Sequence, residues 1–127
     1  MRILVVEDQD AIRRMLEALV SARGHEVIAV TNGAKAIEVV LTAAPNLVLL
    51  DLHLPGLFDG YEVCRRIRAH AGTQDVPIII ISARDDAESR QKANLAGATA
   101  YYGKPFSPTT LLKHIEKLSP PSKTTPA

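Results

Sequence analysis

Three acidic side chains follow apolar segments in two separate parts of the chain. Glu7 and Asp8 come directly after Ile-Leu-Val-Val at 3–6. Asp51 comes directly after Leu-Val-Leu-Leu at 47–50. A charge at the end of a buried strand is costly, and carboxylates brought together by neighbouring strands repel one another and call for a cation. Such oxygen ligands suit Mg²⁺, which keeps several waters and shares its coordination shell with phosphate oxygens.

Two other polar groups follow later apolar segments. Ser82 comes after four isoleucines at 78–81, and Lys104 stands just beyond Ala-Tyr-Tyr at 100–102. A hydroxyl and an ammonium group beside a metal could hold the remaining oxygens of a phosphoryl group in transfer. Asp51 would then be the nucleophile and form an aspartyl phosphate, and because its carboxylate is ionised at neutral pH it needs no general base.

The elements that must position these groups alternate regularly along the chain. Short apolar segments predict strands at 3–6, 25–30, 47–50, 78–81 and 100–102, and helix-period segments lie between them. Five βα units indicate an α/β fold, a doubly wound (βα)5 sandwich whose parallel sheet carries helices on both faces. In such folds ligands bind at the carboxyl ends of the strands.

The residue patterns of the helical segments predict which side chains face the core, which cap a helix and which face solvent. Met15 and Leu41 are expected to face inward on the first and second helices, and Asp10 is expected to cap the first. The fourth helix has a weak apolar stripe and is expected to be loosely held. The basic run Arg-Arg-Ile-Arg at 65–68 is interpreted as a solvated helix face.

Composition limits the classes of protein. The chain has 127 residues, 46% of them hydrophobic, which suits one domain, predicted at 1–118. Residues 119–127 are rich in Pro, Ser and Thr and are expected to form a flexible tail or the start of a linker. A net charge of +1 argues against nucleic-acid binding. With one cysteine, no apolar stretch long enough for a membrane span and no room for a signal peptide, a cytoplasmic location is expected.

Over residues 1 to about 118 the chain resembles the receiver domain of two-component response regulators. The matching segments are Ile-Leu-Val-Val-Glu-Asp at 3–8, Leu-Val-Leu-Leu-Asp at 47–51 with Pro55, Ile-Ile-Ser-Ala at 80–83 and Lys-Pro-Phe at 104–106. The resemblance implies a strand order of 2-1-3-4-5. It also implies that a sensor histidine kinase, a histidine phosphotransfer protein or a small phosphodonor phosphorylates Asp51.

The resemblance further assigns roles within the site. It implies that Mg²⁺ (or Mn²⁺) binds Asp8, Asp51 and the backbone carbonyl of His53, while Glu7 acts through water. The groups implied to hold phosphoryl oxygens are Ser82, Lys104 and the backbone N–H of Ala83. Ser82 and Tyr101 would form the conformational switch, with Tyr101 turning inward. His53 and Arg84 are candidates for tuning the rate at which water reaches the phosphoaspartate. The Lys104–Pro105 bond is implied to be cis.

The expected role is a phosphorylation-dependent switch in a two-component phosphorelay, not an enzyme: its only catalysis would be its own phosphorylation and dephosphorylation. A downstream protein is expected to bind the face formed by helix 4, strand 5 and helix 5. Neither nucleic acid nor membrane is an expected partner, and a monomer or weak dimer is expected. Thr99 and Ala100 replace acidic residues that many DNA-binding relatives use in dimers. Gly60 lies nine residues after Asp51, one more than is usual in receivers, and Ser82 replaces the commoner threonine.

The sequence leaves other functions open. A haloacid dehalogenase-type phosphohydrolase would need an aspartate where His53 stands. A flavodoxin-like FMN carrier would need a phosphate-binding first loop, which the acidic segment 7–10 would repel. A phosphorylation-independent pseudo-receiver would lack the complete acidic set. The chain could also be the receiver of a hybrid histidine kinase or of a DNA-binding regulator.

Overall fold

Strands and helices alternate strictly in the computed structural model, which describes residues 1–118. The strands are β1 (Arg2–Val6), β2 (Glu26–Val30), β3 (Leu47–Leu50), β4 (Ile78–Ser82) and β5 (Ala100–Gly103). The helices are α1 (Asp10–Ser21), α2 (Gly33–Ala43), α3 (Gly60–Ala69), α4 (Ala87–Ala96) and α5 (Pro108–Leu118). All strand pairs are parallel, in the order β2-β1-β3-β4-β5, which confirms the predicted doubly wound sheet. The predicted tail at 119–127 lies outside the described residues.

The sheet is covered on both faces because each central strand contains four consecutive apolar residues, at 3–6 in β1, 47–50 in β3 and 78–81 in β4. Leu4 and Val6 of β1 face the layer formed by α2, α3 and α4, whereas Ile3 and Val5 face α1 and α5. Successive side chains of a strand point to opposite faces, so a continuous apolar run requires two cores. The two helix layers supply them.

The register of the strands brings their carboxyl ends level. Val6 of β1 pairs with Leu50 of β3, and the Asp51 amide donates to the Val6 carbonyl at 3.0 Å. On the other side, the Lys104 amide donates to the Ser82 carbonyl at 2.8 Å. The residues that follow the strands therefore meet along one edge of the sheet.

Helix ends follow ordinary capping chemistry in most places. Side chains of Asn32, Asp59 and Asp86 accept from the third backbone N–H of α2, α3 and α4. The prediction for Asp10 was wrong: it is the first residue of α1, after Gln9, and its carboxylate accepts from Arg13 at 2.6 Å instead of capping the helix. An acidic residue in the first turn still interacts favourably with the helix dipole.

Three predicted faces differ in the structure. Met15 and Leu41 are 40% and 52% exposed, because the helices contact the sheet through narrower stripes than the apolar pattern indicates. Arg68 does not belong to a solvated face. Its guanidinium donates to the carbonyls of Val76 at 2.6 Å and Gly97 at 2.8 Å. Both carbonyls belong to loops, and the arginine gives each of them a hydrogen-bond partner. Across residues 1–118, no helix has the length and apolar character needed to span a membrane.

Candidate functional site

The three predicted acids converge at the carboxyl edge of the sheet. One carboxylate oxygen from each of Glu7, Asp8 and Asp51 lies within 4.8 Å of the others. Glu7 and Asp51 are only 1% and 5% exposed, while Asp8 lies at the open side. Hard oxygen donors, arranged with one side open to water, are the ligands that Mg²⁺ prefers, so the residues present fit this ion.

Lys104 provides the positive charge at the site. Its Nζ lies 3.0 Å from Glu7 Oε1 and 3.7 Å from Asp51 Oδ1. The second Glu7 oxygen accepts from the Gln9 amide at 3.2 Å. Glu7 is therefore held on both oxygens by groups of the chain itself, and its action on a metal through water stays a prediction.

The surroundings of the Asp51 carboxyl disfavour its ionised form. Burial, and then repulsion from Glu7, raise its pKa from 3.8 to about 6. The Lys104 ammonium and the backbone amide of His53 lower this pKa but do not cancel the increase. A divalent cation beside the carboxylate would supply the missing compensation.

A cavity of about 250 Å³ opens onto Asp51. Its lining residues are Asp8, Gln9, Asp51, His53, Ala83 and Lys104. Gln9 was not identified from the sequence, although its position directly after Asp8 at the end of β1 could have indicated it. A larger cavity of about 400 Å³ lies at the opposite end of the sheet, between the loops before β3 and β4, away from these groups.

The loop after β3 is fixed closely against the site. A side chain at Gly60 would place its Cβ 2.4 Å from the Asp51 carbonyl oxygen, so any larger residue would force the start of α3 away from the Asp51 backbone. The extra residue noted in the sequence is accommodated in the preceding loop, where Gly56 has a φ of 91° and Leu57 is 86% exposed.

The predicted switch residues do not line the cavity, but both form hydrogen bonds with the backbone of Arg84, one residue beyond the cavity-lining Ala83. The Ser82 hydroxyl is buried and accepts from the Arg84 amide at 3.1 Å, while the Tyr101 hydroxyl donates to the Arg84 carbonyl. The Tyr101 ring packs against the core beneath α2, α3 and α4. Burial raises the pKa of this tyrosine, and hydrogen bonding with Ser82 partly offsets the increase. The Arg84 side chain is exposed and does not line the cavity, whereas the backbone around it bonds to both switch residues.

The bond between Lys104 and Pro105 is cis, as the resemblance implied. Thr99, one of the residues that replaces an expected acid, accepts from the Ile78 amide at 2.9 Å and from Arg68 at 3.3 Å. Its hydroxyl therefore has a local structural role at the start of β4 and β5.

Comparison with known proteins agrees with this geometry. The family described as the response regulator receiver domain matches residues 3–116. Among curated proteins, the probable transcriptional regulator ycf27 of Porphyridium aerugineum is 41% identical over 92% of this chain and 47% of its own length. Response regulator MprA of Mycobacterium leprae (strain TN) is 39% identical over 93% of this chain and 50% of its own length. The chain thus spans about half the length of the curated relatives it matches.

A solved structure gives the same result. The receiver domain of sensor histidine kinase PA1611 from Pseudomonas aeruginosa PAO1, which has a magnesium ion in its active-site cleft, superposes with a TM-score of 0.85. It is 32% identical, and the match covers 92% of this chain and 95% of that one. Sequence, strand order and the acidic cluster agree, so this chain belongs to the family of response regulator receiver domains, which act in two-component signalling.

Proposed function

We propose that the chain is a phosphorylation-dependent signalling switch in which Asp51 accepts a phosphoryl group. The observation that carries this proposal is the placement of Asp51. Its carboxylate is buried yet faces a cavity bounded by Asp8, Ala83 and Lys104. A nucleophile, acidic ligands and a cation within one small cavity are the parts that phosphoryl transfer requires.

The chain's own groups can carry the transfer. An Asp51 oxygen forms the new bond to phosphorus while the phosphorus–nitrogen bond of a phosphohistidine breaks, and the imidazole nitrogen keeps the electron pair. Lys104 would exchange part of its contact with Glu7 for a phosphoryl oxygen, and Ser82 and the Ala83 amide would hold others. When bound by Asp8, Asp51 and the His53 carbonyl, Mg²⁺ would neutralise charge on the phosphoryl oxygens.

Partners and output belong to the same proposal. The donor would be a sensor histidine kinase or a histidine phosphotransfer protein, and the chain would catalyse only its own phosphorylation and dephosphorylation. His53 lines the cavity and is the stronger candidate for controlling water access, whereas Arg84 is not among the residues that line it. A downstream protein would bind the face of α4, β5 and α5. The cytoplasmic location expected from the sequence remains a prediction.

Two similar proteins suggest different outputs for such a receiver. One is the probable transcriptional regulator ycf27 of Porphyridium aerugineum, and the other is the receiver domain of sensor histidine kinase PA1611. Both are compatible with a receiver that transmits its state to a separate output region.

Labelling with radioactive acetyl phosphate tests the proposal. With Mg²⁺ the wild type should take up label that hydroxylamine removes, and with EDTA it should not. Asp51→Asn should take up none, whereas Asp75→Asn, at an exposed aspartate of the loop before β4, should match the wild type. Uptake by Asp51→Asn at the wild-type rate would refute the assignment. An unlabelled wild type would favour the pseudo-receiver.

A further inference from the structure

A cluster of three side chains, Asp85, Arg90 and Tyr101, connects the loop after β4 with β5. We name it the Arg90 cluster. Arg90 Nη2 and Nε lie 2.5 Å and 2.6 Å from Asp85 Oδ1. The same guanidinium lies over the Tyr101 ring, with its Cζ 4.7 Å from the ring centroid. One arginine therefore joins the loop, the first turns of α4 and the aromatic ring on β5.

Gly103 gives Asp85 its place in this cluster. A Cβ at Gly103 would lie 2.7 Å from both Cγ and Oδ2 of Asp85. The carboxylate of Asp85 thus occupies the space that any larger residue at the end of β5 would fill. The absence of a side chain at Gly103 lets the loop lie directly on the strand.

The Arg90 cluster is connected to the phosphorylation site through the backbone of Arg84. The Tyr101 hydroxyl donates to the Arg84 carbonyl, and the Arg84 amide donates to Ser82 Oγ. Ala83, which lines the cavity, lies between Ser82 and Arg84 in the chain. A displacement of the Tyr101 ring would therefore release the segment that carries two of the proposed phosphoryl-binding groups, the Ser82 hydroxyl and the Ala83 amide.

We infer that Asp85 and Arg90 are positioning residues that hold Tyr101 and the loop after β4 in the arrangement described above, and that this arrangement is the one that binds a phosphoryl group. A ligand binds more weakly to a chain that adopts the competent arrangement only part of the time. An ion pair and a cation–π contact at half-exposed side chains are individually modest, so the shift in population should also be modest. This inference rests on the proposed function.

The first measurement needs no ligand. The chain has three tyrosines, so ¹³C-labelled tyrosine gives three ring environments, and Tyr101→Phe assigns the one of interest. Arg90→Ala and Asp85→Ala should both move the Tyr101 signal toward that of a solvent-exposed ring. Lys92→Ala is the matched control, because Lys92 lies on the same helix, 4.5 Å over the Tyr61 ring. An unchanged Tyr101 signal in Arg90→Ala would overturn the inference.

The second measurement is the affinity for beryllofluoride, titrated with Mg²⁺ in excess. Arg90→Ala and Asp85→Ala should each weaken binding roughly threefold to tenfold, and the double variant should be no weaker than either alone. Arg90→Lys should recover part of the loss. Lys92→Ala should bind as the wild type does. Wild-type affinity in Arg90→Ala would overturn the inference.

Gly103→Ala gives the sharpest comparison. Its methyl group should displace Asp85 and weaken beryllofluoride binding as Asp85→Ala does. In the Asp85→Ala background, Gly103→Ala should cause little further loss of affinity. An equal loss in both backgrounds would show that Gly103 acts independently of the cluster and would contradict the inference. If wild type binds no beryllofluoride, the proposed function fails, and the ring signals still decide whether Asp85 and Arg90 hold Tyr101.

Discussion

Asp51→Asn should make the metal-free protein more stable, and the gain should depend on pH. The Asp51 pKa is raised from 3.8 to about 6, so the folded chain holds this proton more tightly than the unfolded chain does. Ionisation of Asp51 therefore costs the wild type stability as pH rises through the window from 3.8 to about 6. Asparagine does not ionise and avoids that cost.

The size of the effect follows from the pKa. A tenfold change in the ionisation constant corresponds to about 1.4 kcal/mol. The increase in the Asp51 pKa from 3.8 to about 6 therefore corresponds to about 3 kcal/mol. Because water enters the cavity and screens the charges, we expect roughly 1–3 kcal/mol above pH 7. Near pH 4 the side chain at position 51 is neutral in the folded state of both the wild type and Asp51→Asn, so the two proteins should have similar stability.

Urea unfolding at pH 4.5, 6 and 8 in EDTA, followed by circular dichroism because the chain has no tryptophan, measures the difference. Asp75→Asn, the exposed control, should show no comparable pH-dependent gain. At pH 8, Mg²⁺ should stabilise the wild type and reduce the difference in free energy of unfolding between it and Asp51→Asn. A difference that stays constant from pH 4.5 to 8, or an Asp51→Asn that is less stable than the wild type at pH 8, would refute the electrostatic account.

Three other substitutions test the contacts around the site by urea unfolding at pH 7.5. Lys104→Met should lose roughly 1–3 kcal/mol, because buried Glu7 loses its cation; equal stability would show that the pair contributes nothing. Gly60→Ala should lose about 1–3 kcal/mol through overpacking, whereas Gly72→Ala, whose Cβ would meet nothing closer than 3.6 Å, should be nearly neutral. Arg68→Met should lose about 2 kcal/mol by leaving loop carbonyls unpaired; a loss no larger than that of Arg65→Met would argue against this role.

The fold and most of the site were predictable because their signals are local. Uninterrupted apolar segments need cover on both faces, and parallel strands of that kind place their following residues at one edge. Asp51 and Lys104 could therefore be assigned to one site although they are far apart in the chain. Met15 and Leu41 were misassigned because an apolar stripe shows which side of a helix faces inward, not how wide the contact is.

The sequence alone determined the five βα units and the residues that end each strand, since hydrophobic periodicity and the position of a polar residue after an apolar run are properties of short segments. Only the tertiary structure decided that Lys104 lies closer to Glu7 than to Asp51, that Arg68 binds loop carbonyls, and that Arg90 covers Tyr101. Each of these contacts joins separate elements, and its length depends on how the helices settle on the sheet. No local pattern of residues carries that information.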